Sequence, residues 1–246
     1  MSASTAVLRA EARLFTREPG SLFWVLAFPS LLLLGIGLIP SYREPDPGLG
    51  GNRVIDLYVS SVVLVALITA SLLSMPGALT AYRERGILRR MRTTPARPAN
   101  LLIAQMVLHA VAAVVGAVLA IGIGRVVWGV ALPGQLPAYG ITLLLATLAG
   151  LAMGALITAL ARTAKAAQAV GLAVFFPSMF AAGIYVPIQV LPDAVRQVIE
   201  LIPFGAAAQA LNQAAGGSWP SWTHLAVLVL WTVVLMAAAA RWFRWE

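Results

Sequence analysis

Residues 83–98 read RERGILRRMRTTPARP, six arginines against one glutamate, and they stand between two uncharged apolar runs, Leu57 to Leu79 and Leu101 to Gly124. Crossing the hydrocarbon core of a bilayer takes about 20 mainly apolar residues in a helix, and each run is long enough. A short segment rich in arginine between two such spans belongs on the cytoplasmic side, because Lys/Arg excess sets the orientation of the flanking helices. This stretch therefore indicates an all-α membrane protein and also which way it faces.

The rest of the chain agrees. Of its 246 residues, 60% are hydrophobic and only 11% charged, and the mean hydropathy is +0.88. Soluble domains carry about a quarter charged residues, so a large globular core does not account for this composition. Beyond the two runs already named, four more segments have spanning length: Ser21 to Ile39, Leu136 to Leu160, Ala166 to Val186 and Trp222 to Ala240. The fourth and fifth spans are separated only by ARTAK, residues 161–165, whose Arg162 and Lys165 argue for an interfacial turn. Pro29, Pro76, Pro177 and Pro187 lie in or near spans, where neighbouring helices must satisfy the freed carbonyls; those sites are expected to face protein. With both termini inside, thirteen of the seventeen Lys/Arg residues fall on the cytoplasmic side. Net charge is then +9 inside and −1 outside. The overall +8 is a topological signal and implies no nucleic-acid partner. Residues 1–18 carry three Arg and two Glu and do not read as a signal peptide.

Two further segments organise this single domain, 1–246. Residues 5–18 form an amphipathic, interfacial helix with Arg9, Arg13 and Arg17 on one face and Val7, Leu8, Leu14 and Phe15 on the other. Glu11 falls in the apolar arc, where it either snorkels, pairs near Arg13, or meets an arginine of the 83–98 cluster. Residues 192–214 read as two short outer helices, too short to span, separated near Pro203. They are either a loop on the lipid surface or a functional lid.

Several chemistries lack their residues. Cysteine is absent, and the one lysine, Lys165, stands in TAKAA, so no phosphate-cradling G-x-x-x-x-G-K-[ST] loop exists. ATP hydrolysis by this chain is excluded, and no cofactor or metal is expected. His109 lies within the third span and reads as a neutral imidazole bonded across helices. Every carboxylate lies outside the apolar runs, which weakens a proton-coupled carrier. The mild polar residues within the spans, such as Thr69, Ser71 and Thr158, serve helix packing or line a route for an amphipathic substrate; Gly150 and Gly154 have the small-residue spacing of close helix contacts.

Three blocks carry a family resemblance: REPGSLFW (17–24), ERGILRRMRTTPARPANLLIAQ (84–105) and GIYVPIQVLPDAVRQVIELIPFGAAAQAL (183–211). Their order and spacing resemble the ABC-2 type permease family, the membrane subunits of ATP-binding-cassette exporters, and most of all drug exporters of the daunorubicin-resistance type. The resemblance implies a homodimer or pseudo-dimer in the bacterial plasma membrane, driven by separate ATPase subunits. It implies export of a hydrophobic or amphipathic substrate (drug, lipid or glycolipid) and a cytoplasmic coupling helix over 84–94. Residue by residue, it points to Glu84, Arg85, Ile87, Leu88, Arg89 and Met91 for ATPase coupling, with Ile87, Leu88 and Met91 as the apolar face a partner grips. Tyr185, Pro187, Pro192, Pro203 and Phe204 mark the outer lid. The alternatives are a stand-alone secondary carrier and a membrane-embedded enzyme using His109.

Overall fold

The computed structural model describes residues 3–91 and 98–242; the side chains of Ala3, Arg89, Met91, Pro98 and Ala99 lie outside that description. All six expected spans form helices. They are α2 (Pro19–Gly37), α3 (Val54–Glu84), α5 (Pro98–Trp128), α6 (Leu136–Leu160), α7 (Ala164–Ala181) and α10 (Trp222–Trp242). Between and before them lie α1 (Ala3–Phe15), α4 (Ile87–Met91), α8 (Asp193–Glu200) and α9 (Pro203–Ala215). The described residues form no β-strand, only one isolated bridge between Pro45 and Arg53.

Helix α3 is the centre of the bundle. It is the most enclosed span, with 78% of its most apolar window buried, against 22–33% for α2, α5, α7 and α10. Its first half packs on α2 and α5, its second half on α6 and α7, while α10 closes against α6 and α9. Two short π-helical stretches, Phe23–Ala27 in α2 and Thr69–Ser74 in α3, each run into a buried proline, Pro29 and Pro76. A proline cannot donate to the carbonyl four residues back and its ring crowds that carbonyl. Widening the turn relieves the crowding, and Phe28 and Met75 donate instead to Phe23 and Ala70, five residues earlier.

The widened turn pushes carbonyls outward, and neighbouring helices meet them with glycine. A Cβ on Gly154 of α6 would stand 2.1 Å from the Ser71 carbonyl oxygen, and one on Gly171 of α7 would stand 2.5 Å from that of Leu72. Only a residue without a Cβ fits at either place. Gly150 is similarly close to Leu67 and Ser71, so the Gly150–Gly154 stripe packs as its spacing implied. Pro29 and Pro76 are buried against neighbouring helices as expected, Pro187 is partly buried, and Pro177 is exposed on the single subunit. Pro177 is accommodated on the open face of α7.

Arginines finish the helix ends around α3. Arg53 precedes it, bonds Asp56 bidentately (Nε–Oδ2 3.0 Å, Nη2–Oδ1 2.6 Å) and donates to the Trp128 carbonyl that ends α5. Arg83, in its last turn, donates to the carbonyls of Thr158 and Ala161 that end α6. Terminal carbonyls have no partner within their own helix, and a cation there also meets the negative end of the helix dipole.

Gly154→Ala should lower the stability of the detergent-solubilised protein by about 1–3 kcal/mol through overpacking. Gly140→Ala, on the same helix with nothing within 4 Å of the added carbon, should be neutral or slightly stabilising. Thermal unfolding of the two variants side by side reads the difference.

Candidate functional site

The candidate site is the end of the bundle that carries the arginines. Helix α3 runs further than expected, to Glu84, so Arg83 and Glu84 belong to the span rather than to the loop after it. Arg85 then caps it, and Gly86 takes a left-handed backbone (φ 67°) that turns the chain out of the helix. The short α4 follows, beginning with Arg90 N–H donating to the Gly86 carbonyl at 3.1 Å. The coupling helix expected over 84–94 is thus shorter at its start, and Arg92, Thr93 and Thr94 lie outside the described residues.

The faces of this segment also differ from expectation. Leu88 is 2% exposed and belongs to a buried apolar cluster with Met75, Leu79, Leu101, Leu151, Ala155 and Ala239. It anchors α4 to its own bundle and is not part of an outward grip. Ile87 is half-buried, and Glu84, Arg85 and Arg90 are exposed. The side chains of Arg89 and Met91 lie outside the described residues. The outward face of α4 and of the turn before it is therefore mainly charged, Arg85 and Arg90 lying around Ile87, its described apolar element, while Glu84 reaches instead to the Ala164 N–H.

Helix α1 is fastened next to this end by a buried polar chain. Glu11 is 7% exposed, and its Oε2 accepts from the Tyr82 hydroxyl of α3 (2.9 Å) and the Gln105 amide of α5 (2.6 Å). The donors are a phenol and an amide, in place of the expected arginine of 83–98 or the neighbouring Arg13. Burial raises the Glu11 pKa, the two hydrogen bonds lower it, and nearby Glu18 raises it further; burial dominates and the net direction is up. One turn beyond Gln105, His109 Nδ1 lies 2.8 Å from the Gln105 carbonyl and Nε2 lies 3.0 Å from Ser74 Oγ. A carbonyl can only accept, so in the neutral imidazole Nδ1 carries the proton and Nε2 accepts from Ser74. Phe15 of α1 packs edge-on against the same ring, centroids 5.2 Å apart. His109 is the cross-helix hydrogen-bonding imidazole expected from the sequence. It ties α5 to the widened turn of α3, and at 1% exposure it is enclosed.

The opposite end divides into a fixed part and a surface part. Gly183 (φ 75°) makes the turn after α7, and the Tyr58 hydroxyl donates to the Ile184 carbonyl, tying that turn to α3. Pro203 and Phe204 are buried at the start of α9, which packs into the bundle. By contrast, Tyr185 and Pro192 are exposed and Pro187 is half-buried, and α8 buries only Ile199. A Cβ on Gly205 would meet the Ile199 carbonyl at 2.1 Å, which sets how closely α8 sits on α9. Glu200 accepts from Gln209, and Trp231 of α10 donates to the Leu201 carbonyl. Of the two outer helices, α8 is thus the exposed one and α9 is part of the core.

The ABC-2 type transporter family profile matches residues 3–214. The chain belongs to the ABC-2 type transporter family. It is also 25% identical over 232 residues to the candidate transport permease YvfS of Bacillus subtilis (strain 168), covering 92% of this chain and 91% of that protein. Members of this family are membrane subunits of ABC transporters, so the chain is a transport subunit whose family implies a separate ATPase partner.

The buried Glu11 gives this site a pH dependence. A carboxyl with a raised folded-state pKa holds its proton more tightly folded than unfolded, so stability falls as pH rises from the ordinary value near 4.5 through the raised one. Glu11→Gln should remove that fall and leave stability flat across the window. Glu11→Leu leaves Tyr82 and Gln105 without their acceptor and should cost about 1–3 kcal/mol. Thermal unfolding as a function of pH checks both.

Proposed function

We propose that this chain is the transmembrane subunit of an ABC exporter, with both termini and the 84–91 segment in the cytoplasm of a bacterial cell. The observation that carries this reading is the end of α3. There, a short helix fastened by Leu88, together with the turn before it, presents Arg85, Ile87 and Arg90 outward at the most cationic end of a six-span bundle. A separate ATPase subunit pushes on that face, and α4 transmits the push because Leu88 fixes it to the bundle. The charge asymmetry favours this orientation, since cytoplasmic loops carry the Lys/Arg excess.

The substrate is hydrophobic or amphipathic, a drug, lipid or glycolipid. The hydroxyls of Thr69, Ser71, Thr142, Thr147, Thr158 and Ser178 each bond back to the carbonyl four residues earlier, which spends their donors within their own helices and leaves a channel through the subunit only their acceptor lone pairs. The route therefore runs along an outer face of the subunit, where a second copy of the chain completes it as a homodimer. Helix α8 covers its outer end. The basic face of α1 rests on anionic lipid headgroups.

Charge reversal on the outward face separates grip from anchor. Arg85→Glu with Ile87→Asp should abolish the change in ATPase activity that assembly with the permease produces, while membrane insertion and thermal stability stay near wild type. Leu88→Asp should instead destabilise the isolated permease by about 3 kcal/mol or more, as burying an unpaired charge does. Full ATPase modulation by the Arg85/Ile87 variant would remove the coupling assignment.

A further inference from the structure

Two adjacent residues at the end of α3 reach across to the turn that joins α6 and α7. Arg83 Nη1 donates to the Ala161 carbonyl at 2.7 Å and the Thr158 carbonyl at 3.1 Å, at the end of α6. Glu84 Oε1 accepts from the Ala164 N–H at 3.1 Å, at the first residue of α7. The cation thus meets the carbonyl end of one helix and the anion meets the N–H end of the next, so each charge matches the dipole it touches. Thr163 completes the α7 start by accepting from Ala166. Only Ala161, Arg162 and Thr163 separate α6 from α7, so the held atoms bracket the whole turn.

We propose that Arg83 and Glu84 act as a yoke, passing displacement of the coupling helix directly to the α6–α7 turn; this rests on the coupling reading above. The two residues stand immediately before the left-handed Gly86 and α4. A push on α4 therefore reaches α3's last turn, and through it both α6 and α7, without travelling through the membrane core. Both are positioning residues: neither needs to touch substrate or nucleotide.

The chain contains no cysteine, so spin labels can be placed without background. Labels at Ile103→Cys and Arg162→Cys, both exposed, report the turn against the first turns of α5. The measurement uses the complex of the permease with its ATPase subunit, with and without ATP plus vanadate, alongside ATPase activity. In the otherwise wild-type chain the inter-label distance should shift on nucleotide trapping. Arg83→Met with Glu84→Gln should lose that shift yet keep assembly-modulated ATPase activity, and Arg83→Lys should recover part of it. A full shift in the double variant overturns the yoke and leaves the coupling reading standing. Loss of ATPase modulation together with the shift also overturns it, assigning the pair to motor docking. Absence of modulation in the wild-type complex overturns the coupling reading itself. Should the double variant aggregate, exposed Glu84→Ala carries the comparison: a reduced shift supports the yoke and an unchanged one overturns it.

Discussion

In hydrocarbon no water can satisfy a backbone carbonyl that its own helix leaves unpaired, and the architecture is built around that constraint. Helix α3 is where it bears hardest. It is the most enclosed span, it contains Pro76, and its ends adjoin the ends of α5 and α6. Inside the bundle the freed and displaced carbonyls are absorbed by a widened turn with glycine opposite, at Gly154 and Gly171. At its two ends, Arg53 and Arg83 supply donors to the last carbonyls of neighbouring helices. The same groups that satisfy the backbone also connect α3 to α5, α6 and α7.

That connection changes the meaning of the arginine-rich segment. Its residues do three separate things according to where each side chain points. Arg83 and Glu84 turn back to hold the α6–α7 turn, Leu88 plugs into the bundle, and Arg85 and Arg90 are exposed. Hydrogen bonds from a charged donor such as Arg83 to helix-end carbonyls contribute about 1.5–3 kcal/mol, whereas an exposed carboxylate such as Glu84 contributes about 0–1. The arginine is the stiffer half of the pair. Next to them, Glu11, Tyr82, Gln105, His109 and Ser74 form a buried polar chain that fixes the N-terminal helix to α3 and α5.

The spans were legible in the sequence because hydropathy over 20 residues is a property of a contiguous run, and the six helices begin and end within a few residues of the runs. The main departures have local causes: α3 continues through Arg83 and Glu84 because neighbouring helix ends take up their charges, and α7 stops early because Gly183 turns the chain. The partners of buried polar groups were not legible. Tyr82 and Gln105 lie 71 and 94 residues from Glu11, and nothing in the spacing of α1 points to them. The same holds for Leu88. On a helix of one to two turns, an apolar residue flanked by arginines reads equally as a grip or an anchor, and only the neighbouring Leu79, Leu101 and Leu151 decide. A signal was available at Arg83, a charge directly continuing an apolar run, which needs a partner near the membrane surface.

The coupling proposal requires an ATPase subunit to engage the arginine-bearing end of this bundle. A photo-crosslinking amino acid placed at Arg85, with a second version carrying it at exposed Val190 near the opposite end, tests this in intact cells. Capture of a P-loop ATPase from position 85 and not from position 190 is the predicted result. Capture from position 190, or from neither, would show that the motor does not dock at the arginine-bearing end.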